Sequence, residues 1–455
     1  MAKTIELLPS ILARGIATGS ELRHELGISQ PTLSRAITQL GTTVVRIKGG
    51  RSTRYALRQN LPQIGSSWPV FLVDEKGEPT LHGRLDALAR NQYWLAAIDE
   101  QFSDVSDGLP FFIQDLWPQG FIGRTIPKRY PELGLPERIT DWNDTHALIY
   151  LTQRGDDSIG NLLIGDESLQ RYLRQLQEKE TPIDLADRPR QYPTLANLSI
   201  AGTPPGSSAG GEHPKFTTVV RTADRVRQVL VKFSPAGNDR VSKRWSDLLV
   251  CEFLASKALS SIGVSASTAE LIAAGDRMFL ESERFDRTGA RGRRGIVSLA
   301  AVTDQFVGRR DNWITASEDL RAIGKASAPD TEAMVRLATF GQLIGNTDMH
   351  FGNLSFYLTF GKQLSLAPVY DMLPMMYAPV GGDELPDREF EVPLPGGKNL
   401  SVWRPIADVA ELYWSDVARH DLISPEFSKR ALRNAELIAN AKSALPPQPT
   451  HWARQ

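Results

Sequence analysis

Cysteine is almost absent from this chain. Of its 455 residues only Cys251 carries a thiol, which excludes an internal disulfide framework and any cysteine-based metal site. Long apolar runs are missing too: no stretch of about 18 such residues occurs, which speaks against a membrane span. The opening segment, MAKTIELLPSILARG, has an apolar stretch too short and too interrupted for a signal peptide. There is no internal repeat. These absences predict a cytoplasmic protein with no membrane partner. What is present is ordinary for a globular protein: 41% hydrophobic and 23% charged residues, in a chain long enough for two or three domains, roughly, and a sizeable core. Cys251 itself lies in the apolar run DLLVCEFLASKAL, as a buried, inert thiol does.

The net charge of -1 conceals an asymmetry. Up to Asn60 the basic residues are Lys3, Arg14, Arg23, Arg35, Arg46, Lys48, Arg51, Arg54 and Arg58, against only Glu6, Glu21 and Glu25. A basic end on a slightly acidic protein suits a polyanionic partner. Three amphipathic stretches follow one another there: TIELLPSILARG, TGSELRHELGIS and SQPTLSRAITQL. Gly27 can supply a tight turn, Ser29 a cap, and Pro31 sits in a first turn where its missing N–H does no harm. Helix, glycine turn, helix is the helix-turn-helix pattern. TTVVRIKGGRSTRYAL then reads as two strands about Gly49-Gly50, which would make a wing. A winged helix over residues 1–60 would offer Gln30, Thr32, Ser34 and Arg35 to base edges of duplex DNA, and Lys48, Arg51 and Arg54 to phosphate. The alternative is a small helical packing module with a solvated basic face.

From about Leu61 to Ile200 the pattern is mixed. WPVFLVDEKGEPTLHGRL suggests a hairpin about Lys76-Gly77, DSIGNLLIG a buried strand, and SLQRYLRQLQEKE a helix. AGTPPGSSAGGEHPKFTTVV cannot continue a helix or a central strand, and its flanks, LSI and FTTVV, read as strands. Between them Gly206, Ser207, Ser208, Gly210 and Gly211 form a loop whose backbone N–H groups can approach a phosphate closely. It lacks the spacing of a Walker A loop. Downstream, VLVKFSP is an alternating strand with Lys232, and WSDLLVCEFLASKAL an amphipathic helix with Glu252. A strand lysine paired with a helix glutamate fixes nucleotide phosphates in kinases. MFLESERFDR leads to Glu283 and Phe285, where a backbone edge and a ring could take an adenine.

The polar stretch NTDMHFGNLSF follows a long apolar helix pattern. Asp348 has the place of an acid that orients an attacking hydroxyl and accepts its proton. Asn353 and Asp371, the latter at the end of a strand in LSLAPVYDMLP, are oxygen donors suited to Mg²⁺. His350 is expected to hold the backbone of that loop. The order of parts is that of a protein kinase, yet the tripeptides His-Arg-Asp and Asp-Phe-Gly are missing.

Taken together, GSSAGGEHPKF, VLVKF, CEFLASKALSSIGV, ESERFDR, NTDMHFGNLSF and APVYDML resemble the HipA-like bacterial serine/threonine kinases, in the long form with a fused N-terminal helix-turn-helix. The resemblance covers roughly Asn197 to Ala378, with weaker likeness back to about Pro69. It implies an α+β, two-lobed kinase-like fold after the winged helix, with an N-terminal lobe over 61–285 and a mainly helical C-terminal lobe over 286–455. It implies ATP and Mg²⁺ as cofactors, Asp348 as catalytic base, and autophosphorylation of Ser207 or Ser208 that expels the loop. It implies a toxin that phosphorylates a translation component, such as an aminoacyl-tRNA synthetase, and is held by an antitoxin. The loop departs from the family's Gln-Glu-Lys order, with Pro214 before Lys215, so Lys215 is not counted among the phosphate contacts. Two other readings stay open: a DNA-binding regulator with a degenerate, nucleotide-sensing kinase module, and a metal-dependent deoxyribonuclease that uses Asp348 and Asp371.

Overall fold

The computed structural model describes residues 2–48, 52–178, 181–202, 213–381 and 384–445. The chain divides into two compact units. The first takes residues 1–118, 130–179 and 291–293, and the second 119–129, 180–290 and 294–455.

The first unit begins with the helices Ala2–Leu12, Gly19–Leu26 and Gln30–Leu40. The Thr18 hydroxyl accepts from the Glu21 N–H at 3.2 Å, while the Glu21 carboxylate accepts the Thr18 N–H at 2.7 Å. This reciprocal box satisfies donors that a helix start leaves open. Gly27, at φ +62, turns the chain out of that helix, a conformation that costs other residues roughly 1–2 kcal/mol. In Gln30–Leu40 the residues Leu33, Ala36 and Ile37 face inward, onto a core with Leu8, Leu12, Leu22 and Tyr55. Gln30, Ser34 and Arg35 stay exposed. Thr32 is half-buried, its hydroxyl 3.0 Å from Ser29 Oγ. Three short strands, in the order Ala17–Thr18, Arg54–Leu57, Val44–Ile47, close this module.

An antiparallel five-stranded sheet follows, ordered Asp104–Asp107, Gln92–Ala97, Pro79–Leu88, Ser67–Val73, Leu162–Ile164. Gly77, at φ +87, makes the hairpin between its third and fourth strands. The helix Asp166–Gln177 covers Val73 and Leu163 with Tyr172, Leu169, Leu173 and Leu176. Arg58 reaches from the N-terminal module to Asp86 of this sheet, 2.9 Å away.

The second unit contains a five-stranded sheet ordered Ala269–Ala274, Arg277–Glu283, Val226–Phe233, Lys215–Arg221, Ile183–Asp184. The helix Arg188–Ala201 packs on one face, with Tyr192 and Ala196 against Phe216, Val220, Val229, Val231 and Phe279. The expected strand LSI belongs to this helix. Its apolar residues Tyr192, Leu195 and Ala196 recur at helical spacing, and burying them on the sheet decides the conformation of Leu198–Ile200 as well. On the same face Glu281 accepts from Arg188 at 2.9 Å, Arg227 at 3.1 Å and Tyr192 at 2.5 Å. Its buried charge is thus compensated, as burial demands.

The other face meets the helix Arg240–Ser261, which carries Glu252 and packs on Leu400–Arg419; that helix in turn contacts Ala328–Leu343 and Pro425–Ala444. Arg240–Ser261 is held at its first half. Asp247, only 2% exposed, accepts from the Ser424 N–H and the Ser424 hydroxyl, each at 2.7 Å. Arg244 donates to Tyr377 O at 3.0 Å and to Glu426 at 3.2 Å, its guanidinium 5.2 Å from the Phe427 ring centre. Among the described residues no helix is long and apolar enough to cross a membrane.

Burial pushes the Asp247 carboxyl up to about 6, against the hydrogen bonds from Ser424 and the charge of Arg244, which pull it down. A carboxyl raised in the folded state stabilises below its ordinary value of 3.8, and that contribution is lost as pH rises through about 6. Asp247→Asn keeps an oxygen for the Ser424 N–H and has no charge to desolvate. Its stability should therefore fall less than the parent's across this window, by up to about 3 kcal/mol. Thermal melts of both proteins through that pH range check this, and parallel curves would contradict it.

Candidate active site

Lys232 is the centre of the site. It lies on the middle strand of the second unit's sheet, 5% exposed. Its ammonium sits 2.6 and 2.8 Å from the two Glu252 oxygens and also contacts Asp371 Oδ1. Burial works against the charged form of Lys232, but the charges of Asp371 and Glu252 outweigh it and hold the ammonium well above its ordinary range. Burial would likewise raise Asp371. The charges of Lys232 and then Lys215 overcome that and bring it to about 2. Glu252 is pushed up by burial and by Asp371, in spite of Lys232. One ammonium thus serves two carboxylates, an arrangement ready for a further cation or for the exchange of one anion for another.

Asp371 reaches this place through its backbone. Instead of ending a strand it stands in the left-handed region at φ +54, one Asp tolerates better than most residues. Its N–H donates to Glu252 Oε1 at 3.2 Å while its side chain meets Lys232. The preceding strand, Ser365–Leu366, stops short of it.

The stretch around Asp348 is placed by the end of helix Ala328–Leu343. The Gly345 N–H donates to Gln342 O at 3.1 Å and the Asn346 N–H to Gly341 O at 2.8 Å, a Schellman turn with Gly345 at φ +70. A Cβ on Gly345 would lie 2.5 Å from Met376 Sδ, so close packing demands glycine as much as the turn does. Asn346 then links the two acidic segments. Its Oδ1 accepts the Asp348 N–H at 3.0 Å and its Nδ2 donates to Asp371 O at 3.3 Å. Asn353 donates through Nδ2 to Asp348 O at 2.8 Å, which leaves its Oδ1 open. His350 is exposed, and its Nδ1 accepts the Gly352 N–H at 3.0 Å, holding the turn. Tyr370 donates to Gly352 O at 2.7 Å.

The remaining expected residues fall in different places. The Glu283 carboxylate is held from both oxygens by Arg225, at 2.9 Å each, and Phe285 stacks on Tyr370 with ring centres 5.7 Å apart. Ser207, Ser208, Gly210 and Gly211, together with Arg51 of the expected wing, lie outside the described residues. Lys48 and Arg54 are exposed on the first unit. Lys215, set aside on sequence grounds, stands directly opposite Lys232 in the strand register. Side chains so paired share a face, and period-two alternation from Lys215 through Thr217 was the signal that could have found it. Asn346 had no such signal, since its role depends on Asp371 being nearby.

No group of three or more His, Cys, Asp or Glu side chains gathers into a closed metal site among the described residues. Asn353 Oδ1 and Asp371 are hard oxygen donors. Such a sparse set fits Mg²⁺, which takes one or two carboxylates and completes its shell with phosphate and water.

Lys232→Met would leave Glu252 and Asp371 buried side by side without their cation. A loss of about 3–5 kcal/mol in unfolding free energy is expected, the cost of breaking a buried pair. Adding Asp371→Asn should recover part of it. Urea melts of the two variants measure this, and no recovery in the double variant would refute the shared-cation account.

Residues 64–173 match the YjjJ-like toxin middle domain and residues 207–432 the HipA-like C-terminal domain. The chain is 36% identical to the toxin YjjJ of Escherichia coli K12 over 436 residues, 95% of this chain and 97% of that protein. In fold it is similar to a chain from the complex of HipA, HipB and operator DNA of the Shewanella oneidensis MR-1 toxin–antitoxin system. The TM-score is 0.51 with 15% identity, over 83% of this chain and all of that one. The mixed α+β architecture around Lys232, Asp348 and Asp371 is thus of the HipA kinase-like type, and the chain belongs to the YjjJ-like toxins of the HipA-like family.

Proposed function

We propose that this chain is an ATP-dependent serine/threonine protein kinase of toxin type. The observation that carries the reading is the joined set Lys232–Glu252–Asp371, tied through Asn346 to Asp348 and Asn353. Phosphoryl transfer needs little covalent help from a protein. It needs positioning and the neutralisation of charge on the transferred group. Lys232, already sharing its proton-rich head between two carboxylates, would turn it toward the phosphates, with Lys215 beside it on the same face. Asp348 would orient the acceptor hydroxyl and take its proton. Asn353 and Asp371 would hold Mg²⁺, which when bound offsets the negative charge of the phosphates. The acceptor is a protein serine or threonine, with a translation component as the expected target and Ser207 or Ser208 as the internal one.

A second activity is favoured by the N-terminal module. We read it as a winged helix-turn-helix that binds duplex DNA. Gln30, Ser34 and Arg35 are exposed on one helix, with Lys48 and Arg54 exposed beyond it. An antitoxin partner fits the same toxin reading.

Asp348→Ala should abolish transfer from γ-labelled ATP with Mg²⁺ while ATP still binds. In the parent, phosphosite mapping should place label on Ser207 or Ser208. Turnover unchanged in the variant would sink the kinase assignment.

Binding to duplex DNA should weaken as salt rises, and Arg54→Ala should make the log–log slope shallower by about one unit. Fluorescence anisotropy across a salt series measures both. A slope of zero in the parent would remove the DNA reading.

A further inference from the structure

Asn353 and Asp371, the two oxygen donors of the candidate Mg²⁺ site, stand on separate segments, and one phenol group ties the segments together. Tyr370 immediately precedes Asp371. Its hydroxyl donates at 2.7 Å to the carbonyl of Gly352, the residue immediately before Asn353. The Ser355 hydroxyl lies 2.8 Å from the same phenol oxygen. A carbonyl can only accept, so the phenol's single proton goes to Gly352 O, and Ser355 is the donor to Tyr370. The chain of hydrogen bonds therefore runs one way, from Ser355 through Tyr370 to Gly352.

The Gly352 carbonyl is an effective point to hold. A peptide group is planar, so fixing its oxygen also fixes the N–H of Asn353, which donates to His350 O at 3.1 Å. On the other side the N–H of Gly352 is taken by His350 Nδ1 at 3.0 Å. A Cβ on Gly352 would lie 2.9 Å from His350 Cε1, so the turn admits a side chain only if the imidazole moves. With both flanking peptides held, Asn353 is presented in one orientation, its Nδ2 on Asp348 O at 2.8 Å.

The phenol ring is fixed as well. Phe285 stacks on it with ring centres 5.7 Å apart, and Tyr357 meets Phe285 edge-on at 6.3 Å. Backbone pairing holds the segment up to Val369, whose N–H donates to Ser265 O at 2.9 Å and whose carbonyl accepts the Ser267 N–H at 3.1 Å. Two residues later Asp371 stands in the left-handed region. Tyr370 is the anchor at that departure.

We propose that Tyr370 is a positioning residue for the divalent cation: its hydroxyl sets Asn353 relative to Asp371, so that both can serve one ion. The inference rests on the kinase reading and deepens it. Tyr370 acts through its neighbours, as the outer partners that orient metal ligands do. Its ring and its hydroxyl have separate duties, packing on Phe285 and bridging to Gly352, and only the second is needed for the ion.

Tyr370→Phe keeps the ring and removes the hydroxyl alone. Mn²⁺ is the probe, read directly by electron paramagnetic resonance in the presence of a non-hydrolysable ATP analogue. The same analogue is titrated separately in EDTA. In Tyr370→Phe the Mn²⁺ affinity should fall about tenfold or more while the analogue's affinity in EDTA stays within about twofold, the scale and the selectivity of losing an outer partner of a metal ligand. The Mg²⁺ concentration for half-maximal phosphoryl transfer should rise in step. Ser355→Ala removes the donor to the phenol and leaves the bridge to Gly352, so its Mn²⁺ affinity should move the same way by less. Thermal melts accompany each variant, and Ser355→Ala decides the matter where Tyr370→Phe folds poorly. Unchanged Mn²⁺ affinity in a folded Tyr370→Phe, or in Ser355→Ala where that one decides, overturns the proposal. So does an equal loss of analogue affinity with and without metal, which would make Tyr370 a packing residue. A parent that binds neither the analogue nor Mn²⁺ removes the kinase reading and this proposal with it, before any variant is compared.

Discussion

A lysine ammonium in the interior must have anionic company or lose its charge. Lys232 has two carboxylates, and much of the second unit serves to bring them there. Glu252 arrives on a helix whose first half is fastened by Asp247 to Ser424 and by Arg244 to Tyr377 and Glu426. Asp371 arrives on a left-handed residue whose own N–H is taken by Glu252. With one ammonium between two carboxylates, the cluster is suited to receiving a further cation, or to exchanging one anion for another. Perturbed ionisable groups gathered in one place mark a candidate functional site.

The same unit contains a second buried charge cluster, and the contrast is instructive. Glu281 is surrounded by Arg188, Arg227 and Tyr192, all of which donate to it. Arg188 and Arg227 also donate to Glu270, at 2.9 and 3.2 Å, so two arginines serve two carboxylates on a face covered by the helix Arg188–Ala201. Around Lys232 two carboxylates, Glu252 and Asp371, meet one ammonium directly, with Lys215 on the same face. Opposite faces of one sheet therefore do different work: one ties a helix to the sheet, and the other carries the candidate site.

The motif order in the chain singled out the same candidate site. Lysine on an alternating strand, glutamate on an amphipathic helix, and Asp-x₄-Asn followed by a later aspartate each carried a local pattern. The lysine and glutamate patterns pointed to Lys232 and Glu252, which the structure brings together, because strands and helices place side chains at fixed periods. Two expectations failed for want of tertiary information. The LSI segment was taken for strand, but Tyr192 and Ala196 needed the sheet beneath them and drew the whole segment into a helix. Asp371 was placed at a strand end, whereas the pull of Lys232 and Glu252 accompanies a left-handed turn that no propensity would forecast for that residue.

What the sequence by itself determined was therefore the kinds of element and their order. These depend on periodicity, capping residues and glycine, all of which act over a few positions. Only the tertiary structure decided which polar groups share one ammonium, that Asn346 bridges the two acidic segments, and that Lys215 stands opposite Lys232. These are contacts between residues far apart in the chain. Their energies come from burial and from the loss of water around charge, which no local stretch of sequence contains.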